Sequence, residues 1–299
     1  MSEIRIKKPK VYFSREISSS KLKELFDAVG RELNGKVAVK ISTGEPGGHH
    51  YLKPELIGEL VNGIRGTIVE CNTAYRGKRF DTKDHLEAAK LHGFFEIAPV
   101  EILDADGEIS LPVEFVGHLQ GENFVGKGIE KYDSMLVLSH FKGHAMGGFG
   151  GALKNISIGL ASRNGKAWIH SAGFTKDVDV MWSHVDDQDA FLESMAEASK
   201  SVVDYIGRAN MVYINVANNL SIDCDCDNNP APPEIDDIGI FASVDPVAID
   251  QACYDAIINL SDPRKKSFTD RMEEKHAIHL VEWADKLGLG ERTYQLIEI

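Results

Sequence analysis

The sequence predicts an α/β fold in which a mostly parallel or mixed sheet carries helices on both faces, in three layers. Short apolar runs at 36–41 (KVAVKI), 67–71 (TIVEC), 134–139 (SMLVLS) and 211–216 (MVYINV) are typical of buried strands, and helical patterns follow most of them. Strands that alternate with helices favour a parallel sheet that is covered on both faces. No internal repeat or low-complexity linker divides the 299 residues, so we expect a single α/β domain over 1–299.

Two helices and one β-rich stretch have clear local signals. Pro54 fits the first turn of a helix that follows the first strand. The segment 82–92 (TKDHLEAAKLH) has a helical pattern, with Asp81 or Thr82 as its N-cap. The stretch from about 97 to 130 differs, because segments such as EISLPVEFV are typical of antiparallel strands joined by turns. We expect a β-hairpin excursion from the main sheet there.

Composition and charge exclude several classes of protein. Hydrophobic residues make up 43% of the chain, which is enough for a packed core, and the formal net charge is −13. Nucleic acid is not an expected partner, since its phosphates need Lys and Arg on the protein surface, and neither is an anionic membrane. The first residues, MSEIRIKKPKVYF, contain no apolar signal segment, and no run of about 18 apolar residues occurs, so we expect a cytoplasmic protein.

Polar side chains follow five of the predicted strands, the fifth of which is a short strand at 238–242. Ligands of open parallel sheets bind outside the carboxyl ends of the strands. We therefore expect these side chains to meet in one cleft. A small anionic molecule is the expected ligand, because several of these residues are cationic. The candidate ligand-binding residues are Ser42, Asn72, Arg76, Arg79, Lys142 and Asn155.

The segment 138–159 (LSHFKGHAMGGFGGALKNISIG) combines six glycines with two histidines and two lysines. It is not a Walker A loop, because Lys154 lies between Leu153 and Asn155 and does not follow a glycine. Glycine amides approach an anion closely, and Lys154 adds a compact positive charge. Lys154 and His140 are therefore candidate catalytic residues, with His140 as an acid–base group. A flexible glycine turn with exposed histidines is the alternative interpretation.

The segment 243–252 (SVDPVAIDQA) begins a helix. Asp245 is a natural N-cap, and Pro246 fits the first helical position, which explains most of the motif structurally. Because Asp245 also follows a predicted strand, it is the third candidate catalytic residue.

The segment 221–230 (SIDCDCDNNP) contains two of the four cysteines of the chain. In a reducing compartment such cysteines are expected to be thiols or metal ligands and not disulfides. If the segment is extended, Cys224 and Cys226 point to one face and can bind a soft metal, with His144 or Asp223 completing the ligand set. A solvated acidic turn is the alternative interpretation. A third one, a nucleophilic Cys224 in a metal-free enzyme, is disfavoured unless a cation is close, because neighbouring carboxylates raise the pKa of a thiol.

Four motifs together resemble a known family. They are, in chain order, ECNTAYRGKRFDT, LSHFKGHAMGGFGGALKNISIG, DCDC and DIGIFASVDPVAIDQA. They are similar to the uncharacterised Fe–S center proteins, a family built on domain of unknown function 362. The resemblance runs from about Ser42 to the C-terminal helix. It implies iron–sulfur binding and a shared core at His140, His144, Lys154, Asn155, Asp223, Cys224, Cys226, Asp237, Asp245 and Asp250.

The chain departs from this family in one respect. Many members carry a ferredoxin-like insert with two cysteine-rich cluster motifs, whereas the corresponding stretch here, at about 170–190, contains no cysteine. A [4Fe–4S] ferredoxin cluster needs four cysteine thiolates, and the four cysteines are scattered over positions 71, 224, 226 and 253. We therefore expect a divalent metal or a residual iron centre instead of standard [4Fe–4S] ferredoxin clusters.

Two functional hypotheses follow from the sequence. The first is a metal-binding protein, of an iron–sulfur family, that is redox-linked or acts on a small anionic molecule at the cleft formed by the strand ends. The second is a non-catalytic binding or scaffold module for an electron-transfer partner. This module has lost the ferredoxin insert and exposes an apolar patch around 181–182. A redox protein partner or a homo-oligomer is compatible with either hypothesis.

Overall fold

A computed structural model describes residues 8–115 and 117–299 of the chain. The described residues form twelve strands, which are β1 (Lys10–Ser14), β2 (Val37–Lys40), β3 (Thr67–Glu70), β4 (Val100–Ile102), β5 (Glu108–Pro112), β6 (Glu122–Gly126), β7 (Ser134–His140), β8 (Lys142–His144), β9 (Gly148–Gly150), β10 (Met211–Ala217), β11 (Gly239–Ser243) and β12 (Gln295–Glu298). They also form nine α-helices, which are α1 (Ser19–Val29), α2 (Pro54–Gly63), α3 (Thr82–Leu91), α4 (Ala152–Ile156), α5 (Arg163–His170), α6 (Gln188–Ile206), α7 (Pro246–Ile258), α8 (Lys266–Glu274) and α9 (Ile278–Lys286).

The main sheet has eight strands in the order β12-β1-β11-β10-β7-β2-β3-β4. The strands from β10 to β4 in this order are parallel to one another. β11 is antiparallel to both of its neighbours, β1 and β10, and β12 is parallel to β1. The predicted mixed, mostly parallel sheet is therefore confirmed.

The two faces of the sheet are both covered by helices. β7 is buried along its whole length, because its side chains alternate between two apolar clusters. Leu136 and Leu138 pack with α1 and α2 on one face, whereas Met135 and Val137 pack with α4, α6 and α7 on the other. A strand that is covered on both faces is typically a near-continuous apolar run, as residues 135–138 are in β7. The predicted three-layer arrangement is confirmed.

Two small hairpins stand outside the main sheet. β5 and β6 pair antiparallel within the stretch 97–130, where the sequence predicts a hairpin excursion. β4 belongs to the same stretch but pairs with β3 as an edge strand of the main sheet, so the excursion is shorter than expected. β8 and β9 form the second hairpin, inside the glycine-rich segment 138–159.

The antiparallel β11 changes which strand ends meet. Ser243, at the end of β11, pairs with Tyr213 near the start of β10. The residues that follow β11 therefore lie at the amino ends of the parallel strands, whereas those that follow β2, β3, β7 and β10 lie at the carboxyl ends. Asp245 accepts hydrogen bonds from the amides of Val247 and Ala248 there, both at 2.9 Å, and caps α7. The structure does not bring this predicted catalytic residue to the other four strand ends.

The longest helix among the described residues is α6, with 19 residues. It packs against α9, α4 and α5, contributes Phe191, Met195 and Val202 to the apolar cluster on this side of the sheet, and carries Asp189 and Glu193 near its start. Over residues 8–115 and 117–299, no helix combines the length and the apolar character that a membrane crossing requires.

Candidate functional site

A cavity of about 220 Å³ lies at the carboxyl ends of the parallel strands. Lys40 and Glu70 are the last residues of β2 and β3, and both line it together with Ser42. His144 and Cys226, which follow β7 and β10, line it as well. Four strand ends thus contribute to one cavity. Its cationic side chains are Lys40, Arg79, Lys154 and Lys166, and its apolar wall includes Ala74, Met146, Ile158, Met181 and Trp182.

Three metal-ligating side chains meet at one wall of this cavity. The ligand atoms of His144, Cys224 and Cys226 all lie within 4.8 Å of one another. His144 and Cys224 are buried, and Cys226 is partly buried. These residues are about 80 positions apart in sequence, and the parallel pairing of β7 with β10 brings the two segments together. We call these three residues the thiol–imidazole cluster.

A glycine allows the two segments to come this close. The amide of Gly143 donates a hydrogen bond to the carbonyl of Ser221, at 2.8 Å. A Cβ atom at position 143 would lie 2.3 Å from the carbonyl oxygen of Ile222, which no side chain tolerates. The segment that carries both thiols therefore packs directly on the backbone of β8. It forms bends and turns between 221 and 230 and is not extended, so the condition for strand-like alternation is not met, although the two thiols still lie together in the cluster.

The side chain between the two thiols holds this loop in place. Asp225 is buried and accepts hydrogen bonds from His140 Nδ1 at 2.9 Å and from Lys142 Nζ at 2.5 Å. Burial alone would raise the pKa of Asp225, but His140 and Lys142 outweigh it and lower the pKa to about 2. His140 Nε2 also lies 2.6 Å from the carbonyl oxygen of Asn218. His140 and Lys142 thus position the loop and are not among the residues that line the cavity.

The charges around Cys224 are opposite to those expected from the sequence. The Lys154 ammonium lies 3.6 Å from the Cys224 sulfur. A hydrogen bond from Cys226, together with the charges of Lys154 and Lys142, lowers the pKa of the Cys224 thiol well below its usual value. The sequence disfavours a thiolate at Cys224 unless a cation is close, and Lys154 is such a cation, whereas the carboxylate of Asp225 is paired with His140 and Lys142. The Asp223 carboxylate lies 3.7 Å from the Arg271 guanidinium and is not part of the cluster.

The imidazole of His144 is held by the backbone of the β8–β9 hairpin. Its Nδ1 atom accepts hydrogen bonds from the amides of Met146 at 3.2 Å and Gly147 at 2.9 Å. Burial lowers the pKa of His144, so the neutral ring is favoured. In this neutral ring the two amide bonds place the proton on Nε2, so the binding of a metal at Nε2 requires that this proton leaves.

This donor set fits a single soft metal ion. Two thiolates and one imidazole are ligands for zinc or iron, and in a tetrahedral site they leave one position open.

The set does not fit a four-cysteine cluster. Cys71 donates a hydrogen bond to the carbonyl of Leu160, and Cys253 is buried on α7 beside Asn215, so neither joins the two thiols. Cys224 and Cys226 also line an open depression on the surface, which connects the cluster to solvent.

A second group of side chains in the cavity is cationic. The Lys40 ammonium donates to the carbonyl of Ile41 at 2.5 Å and to Asn155 Oδ1 at 3.0 Å, and Asn155 in turn donates to the carbonyl of Lys40. The Lys166 ammonium donates to the carbonyl of Ala161 at 2.5 Å. Burial lowers the pKa of both lysines, that of Lys40 to about 8. Asn155 thus orients Lys40, in addition to lining the cavity.

The charge of Arg79, another cationic residue of the cavity, is balanced by two buried carboxylates. Arg79 is buried between Glu45, at 2.8 Å, and Glu70, at 3.4 Å. Glu70 also pairs with His85 at 3.1 Å. Burial alone would raise the pKa of Glu70, but His85 and Arg79 outweigh it and lower that pKa. Arg79 lies in the cavity as predicted, with its charge already balanced.

Besides Lys142, two other predicted binding residues do not line the cavity. Asn72 hydrogen-bonds to Thr82 and His85 and lines a different surface depression. Arg76 is exposed and pairs with Asp179 at 3.1 Å. The predicted apolar patch around 181–182 is divided, because Met181 is fully buried, whereas Trp182 remains 47% exposed at the side of the cavity.

Sequence reasoning missed Lys40 and Lys166. Lys40 had a detectable signal, since a charged residue inside the apolar run KVAVKI is unusual for a strand that is buried on both faces. Lys166 had none, because a lysine in a short polar helix is ordinarily exposed to solvent.

A protein-family model described as Domain of unknown function (DUF362) matches residues 37–255. The chain belongs to this family. All residues of the thiol–imidazole cluster and of the cavity lie within the matched stretch.

No curated protein matches the chain. Among solved structures, the chain is similar to a Thermotoga maritima protein from the Northeast Structural Genomics Consortium, with 15% identity and a TM-score of 0.44 over 90% of this chain and 58% of that one. It is also similar to the lactate racemase apoprotein from Thermoanaerobacterium thermosaccharolyticum, with 17% identity and a TM-score of 0.38 over 69% of this chain and 50% of that one. The chain thus spans little more than half the length of these two proteins.

Proposed function

We propose that this DUF362 protein binds a divalent transition metal, zinc or iron, through His144, Cys224 and Cys226. We further propose that it acts at this metal on a small anionic molecule held in the adjoining cavity. When bound, the metal would supply a Lewis acid at the cavity wall.

The observation that carries the proposal is the contact between the thiol–imidazole cluster and the cationic cavity. Three ligand atoms within 4.8 Å are the number that catalytic zinc sites use, with the fourth position left for water or substrate. His144 and Cys226 both line the cavity, so a ligand inside it would reach that fourth position. The buried Asp225, held by His140 and Lys142, supports the loop that carries the two thiols.

The charge of the cavity supports an anionic ligand. Arg79 and Glu70 in its lining are paired with each other, which leaves three lysines, Lys40, Lys154 and Lys166, without an ion pair to a carboxylate among the described residues, in a protein whose net charge is −13. A cationic pocket in an acidic protein concentrates anions locally. Lys154 lies between the two parts of the site, because it contacts Cys224 and also lines the cavity.

Metal analysis of protein purified without an affinity tag tests the proposal. We expect about one metal ion per chain after reconstitution with Zn²⁺ or Co²⁺, and thiolate-to-cobalt charge-transfer absorption for the Co²⁺ form. The double variant Cys224→Ala/Cys226→Ala should lose both signals.

Cys253→Ala is the matched control, because Cys253 is a buried thiol that lies outside the cluster. It should keep the metal and the charge-transfer absorption. Equal metal content in the wild type and in the double variant would reject the proposal.

A further inference from the structure

The cavity contains two buried lysines that have no acidic partner. Lys40 is 2% exposed and Lys166 is 7% exposed. Among the residues that the structure describes, neither forms an ion pair, and their hydrogen-bond acceptors are carbonyl and amide oxygens. Glu70 lines the same cavity and its charge partly compensates both ammonium groups, but burial still lowers both pKa values, so the two buried charges remain unfavourable. Their position at the cavity wall therefore needs a reason beyond stability.

Both ammonium groups have donors to spare. An ammonium carries three N–H donors. Lys166 uses one of them, on the carbonyl of Ala161, and Lys40 uses two, on Ile41 and Asn155. Both side chains line the cavity, so the remaining donors are available to a molecule that occupies it.

The backbone is shaped to place the Lys40 ammonium. A Cβ atom at Gly159 would lie 2.9 Å from Lys40 Nζ and 2.1 Å from the carbonyl oxygen of Asn155. Glycine at 159 therefore leaves the space through which the lysine reaches the cavity. The partner Asn155 is itself fixed by Ser139 Oγ at 3.0 Å and by the carbonyl of Lys40 at 3.1 Å.

The two lysines are separate from the thiol–imidazole cluster. Lys154 hydrogen-bonds to Cys224, whereas Lys40 and Lys166 form no hydrogen bond with any of the three cluster residues in the described chain. The cavity thus presents a metal-ligating wall and a distinct cationic subsite.

We propose that the ligand of this cavity is a small organic dianion with two different ends. One end binds the metal at the thiol–imidazole cluster, and the other is a compact oxyanion, a carboxylate or a phosphate, held by Lys40 and Lys166. The metal-binding half of this inference rests on the proposed function. A volume of about 220 Å³ limits the ligand to a short carbon skeleton, which would lie against Ile158, Met181 and Trp182.

Calorimetric titration of the metal-free, chelator-treated protein tests the lysine subsite by itself. The probes are malonate, inorganic phosphate and, as a monoanion, acetate. We expect malonate or phosphate to bind more tightly than acetate. Lys40→Met and Lys166→Met should each weaken that binding by about tenfold or more, whereas Lys90→Met, an exposed lysine on α3, should leave it unchanged.

The cluster variant separates this inference from the proposed function. Cys224→Ala/Cys226→Ala should retain malonate or phosphate binding, which supports the lysine subsite even if metal analysis rejects the metal. Equal affinity in the wild type and both lysine variants would overturn the inference. Anion binding that occurs only in the metal-loaded protein would also overturn the inference about the lysine subsite, but it would be compatible with the proposed function. Tighter binding of malonate than of phosphate supports a carboxylate ligand, and the reverse order supports a phosphate.

Discussion

We expect Lys40→Met to make the ligand-free protein more stable at pH 7. Burial lowers the pKa of Lys40 from 10.5 to about 8, although the charge of Glu70 acts in the opposite direction. A difference of this size corresponds to about 3 kcal/mol of destabilisation when the lysine is protonated. Methionine is of similar length, carries no charge and adapts to irregular space.

Lost hydrogen bonds offset part of this gain. The ammonium donates to the carbonyl of Ile41 and to Asn155 Oδ1, and each acceptor left without a donor costs about 1 kcal/mol. The net increase in the free energy of unfolding should therefore be about 1–2 kcal/mol.

The pH dependence identifies the cause. Below about pH 8, Lys40 is protonated in both the folded and the unfolded chain, so the wild type carries the full penalty. Between about pH 8 and 10.5 the folded chain loses this proton first, and the stability of the wild type rises relative to that of the variant. Above 10.5 the difference that is due to charge is gone.

Urea unfolding, followed by circular dichroism in buffers free of phosphate and carboxylates, measures this difference. Lys90→Met is the control and should change the free energy of unfolding by less than about 0.5 kcal/mol at each pH. A Lys40→Met variant that is less stable than the wild type at pH 7, or a difference that stays constant up to pH 10.5, would refute the reasoning.

Three further outcomes are expected. Gly143→Ala should weaken Co²⁺ binding by about tenfold or more, because its Cβ would lie 2.3 Å from the carbonyl oxygen of Ile222; unchanged affinity in a titration contradicts the packing argument. Metal binding should tighten as the pH rises, because a hydrogen bond to the other thiol of the cluster raises the pKa of Cys226 and its proton must leave. Calorimetry in two buffers counts that proton, and a count of zero speaks against thiolate ligation. Asp225→Asn should lower the free energy of unfolding at pH 7 by about 2–3 kcal/mol, because the buried carboxylate pairs with His140 and Lys142. This difference should be present above about pH 4 and should disappear as the pH falls towards 2. An equal loss of stability in Asp223→Asn, measured by urea unfolding, would contradict this prediction.

The parallel core of the fold was predictable because its strands are buried on both faces. Runs such as KVAVKI and SMLVLS have no polar face, which indicates a sheet covered by two layers of helices. The direction of β11 was not predicted, since the apolar pattern of a strand does not encode its direction. The connection did carry a signal: residues 218–238 contain no helix, and a parallel crossover ordinarily needs one.

The candidate site was predictable where it depends on residue chemistry and not where it depends on tertiary pairing. His144, Cys224 and Cys226 stand out by type and by position after strands, and the structure brings them together. His140 has the same signals, yet it turns towards Asp225. Which of two histidines near one strand end faces a cavity is decided by the packing of the following loop. Sequence spacing does not encode this.

The strand order divides the site along one line of the sheet. The residues of the thiol–imidazole cluster come after β7 and β10, which pair with each other. Lys40 is the last residue of β2, which pairs with β7 on the side away from β10. α4 contacts both halves, through Lys154 and Asn155. Under the proposed function, substitutions in the cationic half would therefore change the preferred ligand and leave the proposed metal ligands in place.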